Sequence, residues 1–138
     1  MAGKSQYLED QLLNWLKGSA YAASGAAPTT LYVALFTVAP IDAGTGGTEV
    51  SGNNYARAAI TTSTGWSAIS GSGPRQISNS GVVTFATPSG SWGTIVAIGI
   101  YDALTVGNLL YWSTITSQAI ASGVVASFAV GAIVITDD

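Results

Sequence analysis

The chain contains no histidine and no cysteine. That removes the commonest general base, the commonest metal ligand, the thiol nucleophile and the zinc–thiolate site. Nucleophilic catalysis then has only Ser–Lys or carboxylate arrangements left. Lys4 and Lys17 both belong to the N-terminal segment, and neither stands in a Ser-x-x-Lys motif. No Gly-x-Ser-x-Gly elbow occurs. The run Gly44-Thr-Gly-Gly-Thr48 lacks the Gly-Lys-Ser/Thr ending of a phosphate cradle and reads as a flexible loop. A glycosidase needs two carboxylates across a cleft. The acidic residues are Glu9, Asp10, Asp42, Glu49, Asp102 and the terminal pair Asp137 and Asp138. Glu9 and Asp10 suit the positive end of a helix dipole. Asp102 opens an ordinary turn, Asp-Ala-Leu-Thr. Asp42 and Glu49 flank one loop, too few oxygens for the six to eight that calcium takes. No catalytic, cofactor or metal site is therefore expected, and no small-molecule substrate.

Aromatic and cationic residues offer binding chemistry instead. Flat rings can stack on sugars or anchor an interface. Trp66 and Trp92 stand beside Gly65 and Gly93 at predicted strand edges. Tyr111 and Trp112 are strand neighbours, so one faces the core and the other outward. Arg57 and Arg75 are the basic residues of the β region. Each reads either as an intrachain pair or as a reach to a neighbouring subunit. Trp66, Trp92, Trp112, Arg57 and Arg75 are thus candidate subunit-interface residues.

The elements that must position these residues follow from periodicity. Residues 5–17 read as a helix, capped by Ser5 and ended by Gly18. Leu8, Leu12, Trp15 and Leu16 form one apolar stripe, widened by Leu13. The stripe docks on the protein's own sheet or on a neighbour, which makes its four residues interface candidates too. Residues 19–30 read as a connector. From Leu31 the period is two, with predicted strands at 31–37, 55–62, 65–69, 76–79, 82–86, 94–101, 109–116, 124–130 and 132–136. Residues 41–54 read as a long exposed loop without a strand. Short strands with turn signals every ~8–12 residues point to an all-β, antiparallel, jelly-roll-like β-sandwich with one N-terminal amphipathic helix. The length of 138 residues suits a single domain (1–138), with the sandwich over 31–136.

Composition bounds the setting. Only 8% of residues are charged, against 48% hydrophobic, where an ordinary soluble domain is about 25% charged. The polar cover must come from 16 Ser, 15 Thr, Asn and Gly. Such a surface is cheap to desolvate, because few strongly hydrated charges have to be buried. It suits life inside a larger assembly. With a net charge of −3 and four basic residues, the chain has no footprint for nucleic acid. The apolar run 124–135 is about half the ~20 residues of a membrane span. No signal peptide is read at the N-terminus, so Sec-type export is not expected.

Several segments, taken in order, carry a resemblance. They are Tyr-Leu-Glu-Asp-Gln-Leu-Leu-Asn-Trp-Leu (7–16), Leu-Tyr-Val-Ala-Leu-Phe-Thr-Val-Ala-Pro (31–40), Thr48-Glu-Val-Ser-Gly52 and Tyr55-Ala-Arg57. Ser91-Trp-Gly-Thr-Ile95, Gly99-Ile-Tyr-Asp-Ala103, Gly107-Asn-Leu-Leu-Tyr111 and Ser127-Phe-Ala-Val-Gly-Ala-Ile-Val-Ile135 follow. Together they resemble a family of small virion structural proteins of tailed bacteriophages. Its members are often labelled tail fibre protein, and related ones are capsid decoration (cement) proteins. A usual member has Gly-Asp before the closing strand, where this chain has Gly123-Val124. The resemblance implies a protein of the virion's capsid surface, made in the host cytoplasm, with subunit or capsid contacts at the marked residues and no enzymatic site. Its partners would be itself, as a homotrimer, and the major capsid protein. A tail fibre component with receptor or glycan contacts is the alternative, and a free carbohydrate-binding module a third.

Overall fold

Three long extended runs of the sequence become the centre of the structure, and the first two are apolar enough to be covered on both faces. β2 (Thr30–Val38), β7 (Gly93–Tyr101) and β8 (Leu109–Ile120) form the antiparallel middle of the main sheet. In β2, Val33 and Leu35 point to one side and Ala34 and Phe36 to the other, and all four are buried. The structure, a computed structural model, describes residues 3–17 and 27–137, without the side chains of Asn14 and Trp15. Gly18, most of the predicted connector, the Trp15 part of the helix stripe and Asp138 lie outside the described residues.

Around that middle, the main sheet runs β1 (Gly3–Lys4), β8, β7, β2, then β3 (Thr48–Glu49), with β4 (Ala58–Thr61) also on β2. β4 pairs with the first half of β2 and β3 with the second. Two small sheets complete the sandwich: β5 (Arg75–Ser78) with β10 (Val134–Asp137), and β6 (Val83–Thr84) with β9 (Ser127–Phe128). Val33, Leu35, Ile60, Ile95, Ile98 and Ile100 of the main sheet meet Val83, Phe85, Ile133 and Ile135 in one core. Around Tyr55, the rings of Trp92 and Phe85 lie 5.3 and 6.3 Å away. The architecture is the expected all-β sandwich with one N-terminal helix.

The other face of the main sheet carries a smaller cluster, Ala34, Phe36 and Ala97. Gly99 belongs to this face. A Cβ there would stand 2.8 Å from Leu109 and 2.9 Å from Phe36, so only glycine lets these side chains close over β7. α1 (Gln6–Leu16) lies against β8. Ser5 starts it as the composition of the cap predicts: its Oγ accepts from the Leu8 N–H at 3.4 Å and donates to the Leu109 carbonyl. The Gln6 N–H donates to the Asp42 carbonyl at 3.0 Å, joining the helix start to the long loop. Across the sandwich, Lys4 of β1 pairs with Asp137 of β10, so the first and last strands are tied.

Several sequence expectations need correction. Residues 41–54 contain β3, made by pairing with β2 rather than by local propensity. Residues 65–69 hold one isolated bridge, Trp66 with Asn79, instead of a strand, and follow a turn over 62–64 closed by the Gly65 N–H on the Thr61 carbonyl at 2.8 Å. The strand predicted over 55–62 narrows to β4, and β8 runs on to Ile120. β1 was not expected at all.

Candidate functional site

The chain's scarce ionisable groups gather at one end of the β7–β8 hairpin. Glu49 lies on β3, Tyr101 ends β7, and Tyr55 and Arg57 lie on the segment that leads into β4. Arg57 grips Glu49 with two parallel bonds, Nε to Oε1 at 2.8 Å and Nη2 to Oε2 at 2.7 Å. Its Nη1 donates to the carbonyls of Ala103 (2.8 Å) and Val106 (2.9 Å). Its guanidinium sits 3.5 Å from the centre of the Tyr101 ring, a cation–π contact. The Tyr55 hydroxyl donates to Glu49 Oε1 at 3.0 Å and accepts from the Leu35 N–H at 2.9 Å. The Arg57 side chain is only 7% exposed and that of Glu49 25%, so the pair is shielded and its geometry is fixed.

The electrostatics are those of a closed clamp. Burial works against the Arg57 charge, but its hydrogen bonds to Glu49 and the negative charge there outweigh that, and the guanidinium holds its proton more firmly than usual. Burial, helped by the Glu49 charge, pushes the Tyr55 and Tyr101 phenols above their ordinary 10.0. Neither phenol is poised as a base or nucleophile. With both its oxygens turned to Arg57, Glu49 is also lost to any calcium-binding role with Asp42. Among the described residues there is no group of three or more acidic side chains able to hold a metal.

The clamp fixes the β7–β8 loop. Asp102 closes it from within, accepting from the Asn108 N–H at 2.7 Å and from Asn108 Nδ2 at 2.8 Å. Val106 has φ +57°, a left-handed conformation that costs a β-branched residue dearly. Gly107 follows at φ +68°, where a Cβ would stand 2.5 Å from Asp102 Oδ1. What this framework presents to solvent is apolar: Leu104 is 49% exposed and Val106 86%.

The residues marked from the sequence do not come together as one site. Arg57 is the intrachain pair just described. Arg75 is exposed and donates to the Gly71 carbonyl at 2.7 Å within its own hairpin. Trp92 is a correction: it is a core residue, 4% exposed, with its indole N–H on the Asn53 carbonyl at 3.0 Å, and it cannot meet a partner. Trp66 is half-buried against the core. Tyr111 packs on the core side of β8, which puts Trp112, paired in register with Gly99, on the opposite face. The helix stripe divides. Leu8 is buried against the protein itself, Leu12 is half-buried, and Leu16 stands in solvent.

At the far end of the same hairpin the surface opens. The β7–β8 pairing slips between Ile95 and Ala97, where β8 spends more residues than β7, a bulge that bends the strand. Between the bent part of β8 and residues 124–128 lies a groove of about 470 Å³. Leu35, Ile95 and Ile120 form its floor, and Ile115, Val125 and Phe128 stand along it. No charged side chain lines it.

A sandwich whose main ionic cluster is closed within the chain, whose exposed surface is largely apolar and uncharged, and which, among the described residues, buries the indole N–H groups of Trp66 and Trp112 without a partner fits a structural, surface-forming class. The chain belongs to the family of Podophage GP4 fiber I protein gp80, which matches residues 3–136, and is thus a phage virion structural protein. No curated protein matches it.

Proposed function

We propose that this protein decorates the phage capsid, cementing the shell as a homotrimer seated on the major capsid protein, and acts by binding rather than catalysis. The observation that carries this reading is the character of the surface. Leu16, Ile41, Ile69, Val82 and Val130 are all more than half exposed, on a chain with 8% charged residues. Lone exposed hydrophobics are ordinary, but here almost no charge stands between them to oppose burial. A subunit that binds only the assembled shell stabilises it by mass action. A three-fold ring needs heterologous contacts that close.

Cryo-electron microscopy of intact virions tests this. Density for the sandwich at three-fold positions of the shell is the expected result, and virions lacking the protein should disrupt at lower temperature. Density confined to the tail would overturn the reading in favour of a tail fibre component. The word fiber in the family's description favours that second reading; the exposed side chains would then contact a receptor or glycan.

A further inference from the structure

We propose that the recess over the Arg57–Glu49 pair is a binding site for a neutral saccharide, held through two neighbouring hydroxyl groups. The site is the same wherever in the virion the protein sits, so it goes beyond the capsid reading and does not rest on it. The recess has a volume of about 360 Å³, within the size range of small-ligand sites. Both members of the pair line it, together with the hydroxyl-bearing Ser51 and Thr105 and the apolar Leu104 and Val106.

Hydrogen-bond accounting at this pair leaves two places open. A guanidinium has five N–H groups. Arg57 spends four of them: Nε and one of Nη2 on Glu49, and both of Nη1 on the Ala103 and Val106 carbonyls. The fifth, on Nη2, has no acceptor among the described residues. Each carboxylate oxygen can accept two bonds. Glu49 Oε1 accepts from Arg57 and Tyr55, whereas Oε2 accepts from Arg57 Nη2 alone. One donor and one acceptor, on atoms 2.7 Å apart, therefore remain side by side. The Arg57 side chain is 7% exposed and fixed by four bonds, and that of Glu49 is 25% exposed. The two open places are thus held in position before any ligand arrives.

Their chemistry selects the ligand. An anion would meet Glu49 and a cation would meet Arg57, and either would have to part a shielded pair. A neutral ligand avoids that cost. Neighbouring hydroxyls of a sugar ring stand about one hydrogen-bond length apart. One donates to Oε2 and the next accepts from Nη2, both charge-assisted bonds. Ser51 and Thr105 serve further hydroxyls, and Leu104 and Val106 offer aliphatic surface to the C–H face of the ring.

The test is a titration of the full chain, followed by backbone amide NMR, with the methyl glycosides of glucose, galactose, mannose and rhamnose. The expected result is saturable shifts at Ser51, Gly52 and Leu104–Val106 with at least one of them. Thr105 is exposed, so Thr105→Trp should fill the recess, weaken binding at least tenfold and retain the melting temperature. Ser51→Ala, also at an exposed position, should weaken it at least threefold. Val125→Trp, at the other end of the hairpin, should leave it unchanged. The methyl glycoside of glucuronic acid should bind at least tenfold more weakly than the best neutral glycoside. If no neutral glycoside shifts these amides, or if the shifts centre on other residues, the site is wrong. Binding that survives both Thr105→Trp and Ser51→Ala overturns it as well, and equal binding of the glucuronide overturns the argument from the neutral pair. A preference for N-acetylglycine methylamide would reassign the recess to a peptide backbone. None of these readouts depends on the shell, so the capsid reading stands or falls separately.

Discussion

The two ends of the β7–β8 hairpin are built on opposite principles. At the turn, nearly every polar group is paired: Arg57 with Glu49 and two carbonyls, Tyr55 with Glu49 and Leu35, Asp102 with Asn108. At the other end, Ile115, Val125 and Phe128 surround a recess with no charge and no clamp. The rigid end presents hydrophobic side chains outward, and the open end has apolar surface left to cover. Charge at this hairpin is therefore used to fix shape, while its apolar surface is left exposed.

The largest effect should come from breaking the clamp at its acid. Glu49→Ala leaves the Arg57 guanidinium shielded without its counter-charge. Removing one member of a buried pair costs about 3–5 kcal/mol. The two carbonyls and the Tyr101 ring still hold the cation, so a loss near the lower figure, about 3 kcal/mol, is expected in urea unfolding. A loss below 1 kcal/mol would mean that the pair is a surface decoration rather than the fastener of the tip.

A smaller effect appears with pH. Both clamp phenols are harder to ionise in the fold than in the unfolded chain, chiefly through burial. Their contribution to stability is whole below about pH 10 and is lost progressively as pH rises further. Melting temperature should fall above that pH, and Tyr55→Phe should flatten the fall. An unchanged slope in Tyr55→Phe would place the alkaline weakness elsewhere.

The contrast between the ends was only partly legible in the sequence. The helix and β2, β7 and β8 follow from periods of 3.6 and two, because each is long enough for its burial pattern to show in the residue order. β1 and β3 carry too little local signal; each exists through register with a long neighbour. Arg57 was visible by rarity, and its intrachain pairing was one of two open readings. Trp92 looked like an edge residue because Gly93 follows it, but the Asn53 carbonyl satisfies its indole and lets the ring go inside. Asn79 gave no signal at all. Set between serines at the end of the strand predicted over 76–79, it carries no mark of a buried anchor. Yet it is 1% exposed and pins residues 129–133, donating from Nδ2 to the carbonyls of Gly81 and Ala129 and accepting from the Ile133 N–H. Partners fifty residues away leave no local trace.

The smallest effect sharpens the comparison most. Val106 pays a left-handed backbone penalty of about 1–2 kcal/mol, and with 86% exposure it recovers little of it by packing within the chain. Glycine adopts φ +57° freely but loses more backbone entropy on folding, about 0.5–1 kcal/mol. Val106→Gly should therefore raise the stability of the isolated chain, by up to about 1 kcal/mol in urea unfolding. A residue held at such a cost to its own fold points to a role beyond that fold. If Val106→Gly instead lowers stability, the valine is packing within its own chain, and the tip is one more closed part of the clamp rather than its outlet.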